Sequence, residues 1–268
     1  MIVAATGFRW DIFWHYVWPP TAFHDPLIRT GFWVTVYMAV AAQLVGVVLG
    51  VLTALTQMSS VRALRWLAAS YVLYFRGTPV LVQLALLYFG LSAVGLYTFP
   101  DIHLLGVTVP GIAQAGIVGL GLNEGAYMAE IVRAGIISID PGQMEAAKTI
   151  GMRFGQAMRF VVLPQAAKVI VPPLGNEFNN MLKSTTLVVT IGGVELFNAF
   201  QQINARLYAP FELFLAVSFY YLFLTVVWSL IQVAIERRLG ERKGTPGEPN
   251  FLRRLAFGGW RGRTVGTP

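Results

Sequence analysis

Between Gly31 and Leu55 the chain runs for 25 residues without one Asp, Glu, Lys, Arg or His. About 20 predominantly apolar residues cross the hydrocarbon of a bilayer as a helix. The rest of the chain follows suit. It is 56% hydrophobic and 12% charged, with a mean hydropathy of +0.61, whereas soluble domains carry about 25% charged residues. A soluble core of 268 residues could not hide that much apolar surface. The expected fold class is an all-α integral membrane protein.

Five spans are expected, at about 31–55, 63–97, 111–137, 165–191 and 211–235. Residues 1–29 precede them as an interfacial, extracytoplasmic segment. Its Trp10, Trp14, Tyr16 and Trp18 suit a membrane–water boundary, where a ring buries its body and keeps a polar edge wet. His15 and His24 have no companion ligands, so no metal site is expected. Loops are expected at 99–110 and 192–210. The tail, 237–268, is basic and rich in Gly and Pro and is expected to be disordered, with its charge facing lipid; nucleic-acid binding is not expected.

Three spans carry charge. In the second, Arg76-Gly77-Thr78-Pro79 interrupts the apolar run, and the simplest structure is one long helix bent at Pro79. Arg76 then sits about 20 Å along it at about 1.5 Å per residue. An arginine at that depth is costly and marks function by default, unless it snorkels or pairs structurally. In the third, Glu130 and Arg133 stand at i and i+3 and are expected to form an ion pair. Gly116, Gly119, Gly121 and Gly125 permit close approach by another helix. In the fourth, Pro172-Pro173 should break or bend the helix beside a polar cluster of Asn176, Glu177, Asn179, Asn180 and Lys183. Broken membrane helices need a polar cavity or buried partners.

Orientation follows from the basic residues. With five spans and the N-terminus outside, fourteen of the 20 Lys and Arg residues lie inside. Arg9, Arg29 and Arg206 lie outside, and Arg76, Arg133 and Lys183 lie in or at the edges of spans. The C-terminus and the insert Asp140–Pro164 are then cytoplasmic. There is no cysteine, so disulfides and thiolate metal sites are excluded. No G-x-x-x-x-G-K-[ST], H-E-x-x-H or G-x-S-x-G occurs, and nothing resembles an enzyme active site.

The insert is polar and helix-forming. Asp140 can cap a helix, Pro141 suits its first position and Gln143 can complete a capping box. Gly151 can end the helix in the left-handed conformation. A second helical stretch, 154–162, is expected to close at Leu163-Pro164. A helical loop between spans is a docking surface rather than a connector, and Ala146 and Ala147 leave it thin enough for a partner groove.

The spacing Glu145-Ala146-Ala147, Gly151, Val161, Leu163-Pro164 resembles the EAA loop of ABC-importer permeases, with Val161 where that family usually has Ile. RGTPVLVQL (76–84), GAYMAEIVRAGI (125–136), GQMEAAKTIG (142–151), LPQA (163–166) and LKSTTLVVTI (182–191) resemble the polar amino acid permeases of the histidine/glutamine/arginine type. Ala134 and Ser184 depart from the Gly and Asp often found there. The resemblance implies a type I importer (methionine-importer-like) permease fold in a bacterial inner membrane. It implies a second permease subunit, two cytoplasmic ATPases that hold the ATP and Mg²⁺ this chain does not bind, and an extracytoplasmic binding protein. It implies coupling through Gly142, Glu145, Ala146, Ala147 and Gly151. Asn176, Asn180 and Lys183 share one helical face, and together with Glu177, Arg76 and Thr78 are the expected translocation residues. In that hypothesis Lys183 meets the substrate carboxylate and Glu177 its ammonium group. The alternatives are a permease for another small solute such as an opine or betaine, an ion-coupled secondary amino acid transporter, and a structural or regulatory membrane subunit without a path.

Overall fold

The computed structural model describes residues 7–104 and 106–239. The chain is helical, with one two-stranded hairpin. In order the helices are α1 (Trp10–Val17), α2 (Pro19–Ala22), α3 (Pro26–Gln57), α4 (Arg62–Gly77), α5 (Val80–Ala85), α6 (Leu91–Ala93), α7 (Gly111–Ile137), α8 (Pro141–Thr149), α9 (Phe154–Ala157), α10 (Leu163–Ser184), α11 (Leu196–Leu207) and α12 (Pro210–Arg238). A π-helical turn, Leu86–Gly90, joins α5 to α6, and another, Met158–Val162, joins α9 to α10. Strands β1 (Ile102–Leu104) and β2 (Val107–Val109) pair antiparallel where a plain loop was expected.

Among the described residues, three helical stretches are long and apolar enough to cross a membrane: Pro26–Gln57, Phe154–Ile191 and Pro210–Arg238. Arg62–Gly77 with Val80–Ala93 makes a fourth if the bent pair is taken as one span. Helix α7, at 27 residues, is long enough but, with Gln114, Asn123, Glu124, Glu130 and Arg133 along it, is not among them. The reason is its surroundings. It is packed between α3, α4, α5 and α10, and most of its residues are buried in protein. A helix wrapped by other helices touches little lipid and has no need of a lipid-facing composition.

The most extensive helix pair is α3 with α7, and it is built on glycine. Gly46 and Gly50 of α3 lie against Glu124 and Met128 of α7, while Gly121 and Gly125 of α7 lie against Val45 and Leu49 of α3. Each helix offers small residues four apart, which lets the backbones approach until van der Waals contact is continuous. Residue numbers rise together along this seam, so α3 and α7 run in the same direction. Helix α10, with the 3₁₀ turn Thr185–Ile191 that continues it, runs against them: Gly135 meets Ile170 and Gly116 meets Val188. Helix α12 is antiparallel to α10, with Gln232 beside Pro172 and Ser229 beside Asn179.

Several local expectations are corrected. The 63–97 segment is not one bent helix: α4 and the stretch Val80–Ala93 meet at 108°. Pro79 removes a backbone donor and forces extended geometry on Thr78 (φ −121°, ψ 149°), so the helix stops there. Pro172 and Pro173 do not break α10, which runs through both. The indole of Trp228 donates to the Gly175 carbonyl (2.7 Å) and Gln232 donates to that of Pro172 (3.2 Å), so α12 clamps the backbone around the prolines. The stretch after residue 154 does not close at Leu163-Pro164 but passes through the π-turn into α10. The expected loop 192–210 contains α11. The expected Glu130–Arg133 pair is replaced by one between Arg76 and Glu130.

At the N-terminal end, Ile12 and Phe13 of α1 are buried in the cluster that includes Leu213 and Val217 of α12. Trp10, Trp14 and Trp18 remain about 60% exposed along one edge. Of the basic tail, residues 240–268 lie outside the described residues.

Candidate functional site

Helix α8 is closed at both ends by its own chemistry. Asp140 Oδ1 accepts from Gly142 N at 2.7 Å, and Gly151 takes the left-handed conformation (φ +87°). Met152 N donates to Ala147 O (3.0 Å) and Gly151 N to Lys148 O (2.9 Å), the double bond pattern of a glycine-terminated helix. The capping box is not completed by Gln143, whose Oε1 instead accepts from Gln165 on α10 (3.3 Å). Gly142, Glu145, Ala146 and Gly151 are exposed, as expected of a docking face; Ala147 is 4% exposed and faces inward. Next to the exposed set lie Ile150 (75%) and Phe154 (63%), apolar side chains left in solvent.

Beneath α8 is a small cluster that joins three long helices. It contains Ala54 of α3, Val132 and Ile136 of α7, Val162 of the π-turn and Ala166 of α10, with Met144 of α8 packed against it. Through Met144, α8 packs against the cluster in which the ends of α3, α7 and α10 meet.

The C-terminal end of α10 and the turn that follows it form an open depression about 380 Å³ in volume, lined by Asn180, Lys183, Ser184, Thr186 and Leu187. Asn180 Nδ2 reaches Glu177 Oε2 at 3.4 Å, and Asn176 Oδ1 accepts from Gln232 of α12 at 3.4 Å. Lys183 is exposed and Glu177 half-buried. Arg76 and Thr78 lie elsewhere. Arg76 pairs with Glu130 and covers the ring of Tyr127 at 5.1 Å from its centroid. No hydrogen bond or ion pair among the described residues joins Arg76 or Thr78 to the α10 set.

Two polar groups that sequence reasoning missed hold the break between α4 and α5. Gln83 Nε2 donates to Phe75 O (2.9 Å), Thr78 O (3.0 Å) and Thr78 Oγ1 (2.8 Å). Asn123 Nδ2 donates to Phe75 O (2.7 Å) and to Gln83 Oε1 (3.1 Å). Both side chains are buried, at 5% and 8% exposure. The carbonyls freed where the helix breaks find these amides instead of lipid. Gln83→Leu leaves two carbonyls and the Asn123 amide short of partners and is expected to lower stability by about 2–3 kcal/mol, read as a fall in the thermal midpoint in detergent; an unchanged midpoint would refute the bracing role. A buried Glu124 bonded to Gln43 (3.1 Å) and a buried Glu195 were also missed as structural positions. Gln43 had a weak signal, being the only amide in the uncharged Gly31–Leu55 run.

Comparison with known proteins gives concordant results. The family described as the inner membrane component of binding-protein-dependent transport systems matches residues 46–241. The L-cystine transport system permease protein TcyB of Bacillus subtilis is 36% identical over 239 residues, 89% of this chain and 94% of that protein. The arginine transport system permease protein ArgU of Corynebacterium glutamicum is 37% identical over 237 residues, 86% of this chain and 72% of that one. Among solved structures, an amino acid ABC transporter crystallised with histidines is 38% identical with a TM-score of 0.70, covering 82% of this chain and 97% of that chain. The inward-facing methionine transporter MetNI, at 21% identity and a TM-score of 0.61, shares the fold.

Proposed function

This chain belongs to the inner membrane components of binding-protein-dependent transport systems, and from that premise we propose that a polar amino acid is its cargo. It is a permease subunit of an ABC importer, a multi-pass protein of the bacterial inner membrane. The observation that carries the coupling half of the reading is α8, a helix capped at both ends, exposed at Glu145 and Ala146, and seated on the shared ends of α3, α7 and α10.

In this reading two cytoplasmic ATPases, which hold ATP and Mg²⁺, grip α8 by the exposed Gly142, Glu145, Ala146 and Gly151. Ala147 serves from the inner side by letting α8 lie close to the helices it drives. An extracytoplasmic binding protein delivers the solute, and a second permease subunit completes the path. Five spans cross the membrane, with α4 to α6 as the second and α7 as the third, the N-terminus outside and the C-terminus inside. The parallel run of α3, α7 and α12 against α10 supports that order. Residues 1–29 lie at the outer interface, 30–236 form the permease domain, and 237–268 form a basic cytoplasmic tail. Lys183 receives the amino acid carboxylate and Glu177 its ammonium group, with Asn176 and Asn180 beside them. Arg76 and Thr78 act from the α4–α5 break, Arg76 when its pair with Glu130 opens.

The test is uptake and ATP hydrolysis by the complete importer in proteoliposomes. Glu145→Arg is expected to cut uptake at least tenfold while ATP hydrolysis continues, because reversing one exposed charge spoils docking without touching the membrane core. Lys183→Met and Glu177→Gln are expected to cut uptake with coupling intact. Normal uptake by all three variants rejects both assignments.

A further inference from the structure

The start of α4 carries a surface that the transport reading leaves unused. Arg62, Arg65, Trp66 and Ala69 line an open depression about 270 Å³ in volume. They stand at i, i+3, i+4 and i+7, and Leu73 at i+11 continues the same face. Another flank of α4 is occupied: Ala68 and Val72 are buried, Val72 in a cluster with Ala126 and Ala129 of α7. The face with the arginines is bare, with Trp66 64% and Leu73 76% exposed.

The two arginines have no acidic partner. No Asp or Glu occurs between Asp25 and Asp101, and the one ion pair among the described residues joins Arg76 to Glu130. Arg65 is held in place, its Nη1 donating to Ser59 O and Ser60 O at 2.9 Å each. A guanidinium carries five N–H donors, so three of those on Arg65 remain for a ligand. Along the axis the face then changes character in order. Two guanidinium groups come first, an indole one turn on, then the small Ala69, then Leu73. Arg62 to Leu73 is about 16 Å at about 1.5 Å per residue, comparable to half of a hydrocarbon core about 30 Å thick. Charge, interfacial ring and apolar stem succeed one another as headgroup, glycerol and acyl chain do in a phospholipid. A soluble anion would need the arginines but not the apolar continuation. An acidic protein surface would need no bare leucine a leaflet's depth away.

We propose that this face binds one acidic phospholipid of the cytoplasmic leaflet. Its phosphate sits on Arg62 and Arg65, its glycerol beside Trp66, and an acyl chain lies over Ala69 and Leu73. The choice of leaflet rests on the orientation proposed above. The lipid fastens the turn between α3 and α4 at the membrane surface.

The experiment titrates the delipidated permease–ATPase complex, in a non-ionic detergent, with palmitoyl-oleoyl phosphatidylglycerol and with the matching phosphatidylcholine. Native mass spectrometry counts the bound lipid. The first phosphatidylglycerol on each permease subunit is expected to bind at least tenfold more tightly than phosphatidylcholine. Arg62→Gln is expected to weaken it about fivefold, near what one arginine contributes at an anionic surface. Arg62→Gln with Arg65→Gln should level the two lipids. Arg237→Gln with Arg238→Gln, at the exposed end of α12, removes the same charge on the same side and should change nothing. Excess inorganic phosphate should not displace the lipid. Equal affinity for the two lipids or undiminished binding in the α4 double variant overturns the proposal. So does an equal loss in the α12 variant, which would mean diffuse surface charge, or displacement by phosphate, which would mean a soluble-anion site. Release of the ATPase by the α4 variants with lipid binding kept would assign the arginines to a protein contact instead. Should the double variant fail to assemble, Arg62→Gln decides alone, since it keeps the Arg65 bonds to Ser59 and Ser60. The chain has no cysteine, so Ser60→Cys, an exposed position beside the depression, gives this subunit one site for an impermeant maleimide. Labelling in inside-out vesicles alone is expected. Labelling from the outer side would refute the orientation and with it the leaflet, while the lipid titration still judges the site.

Discussion

Glu195→Ala is expected to destabilise the protein by about 3–5 kcal/mol, a fall in thermal midpoint on the order of 10 °C for a chain of this size. Glu195 is fully buried and caps α11, accepting from Phe197 N (3.0 Å) and Asn198 N (2.8 Å). The same carboxylate accepts from Tyr221 Oη of α12 at 2.6 Å and Thr35 Oγ1 of α3 at 3.3 Å. Thr35 Oγ1 in turn accepts from Leu196 N at 3.1 Å. One side chain thus starts a helix and ties it to two others. Alanine removes the acceptor and strands two backbone N–H groups and two hydroxyls away from water, and it is the stranded donors, more than the lost bonds, that make the effect large. Tyr221→Phe removes one donor and leaves the cap, so about 1 kcal/mol is expected from it. Thermal unfolding of both variants in one detergent checks the contrast. A Glu195→Ala midpoint within 2 °C or so of wild type would show that the carboxylate is not the tie described.

Gly50→Leu is expected to abolish folded protein in the membrane. A Cβ at position 50 meets Met128 Cβ and comes to 3.0 Å from the backbone nitrogen of Ala129. A flexible side-chain tip could move aside, but a helix backbone cannot. Separating α3 from α7 would also loosen Gly46 from Glu124 and Gly121 from Val45 along the same seam. Overpacking by one methyl costs about 1–3 kcal/mol, so Gly50→Ala should be folded but weakened, and leucine adds three more carbons to a space that has none. Yield of monodisperse protein after detergent extraction distinguishes the two. Wild-type yield for Gly50→Leu would mean that the α3–α7 seam is not packed as described.

Much of this architecture was legible in the residues because its causes are local. The uncharged 31–55 run, the Asp140-Pro141 start and the Gly151 stop of α8 each carry their physics within a few positions, and each is found where expected. The break at Pro79 was legible as a bend but not as a 108° turn. Proline forbids continuation, yet the angle is set by Gln83 and Asn123, residues 40 apart in the chain. At Pro172-Pro173 the same local rule predicted a break or a bend, and the helix is held unbroken by Trp228 and Gln232. Helix α11 was read as loop because its cap, Glu195, is stabilised by residues from two other helices.

By itself the sequence determined the membrane class and the form of helix α8, because hydropathy and capping act over one helix or one loop. Only the tertiary structure decided which polar side chains serve the fold and which are left over. Arg76, singled out for its depth, is paired with Glu130 and Tyr127; Ala147, expected to face a partner, is turned inward; and Glu124, bonded to Gln43, forms no ion pair among the described residues. A buried charge is structural or functional according to what stands opposite, and what stands opposite is fixed by helix packing.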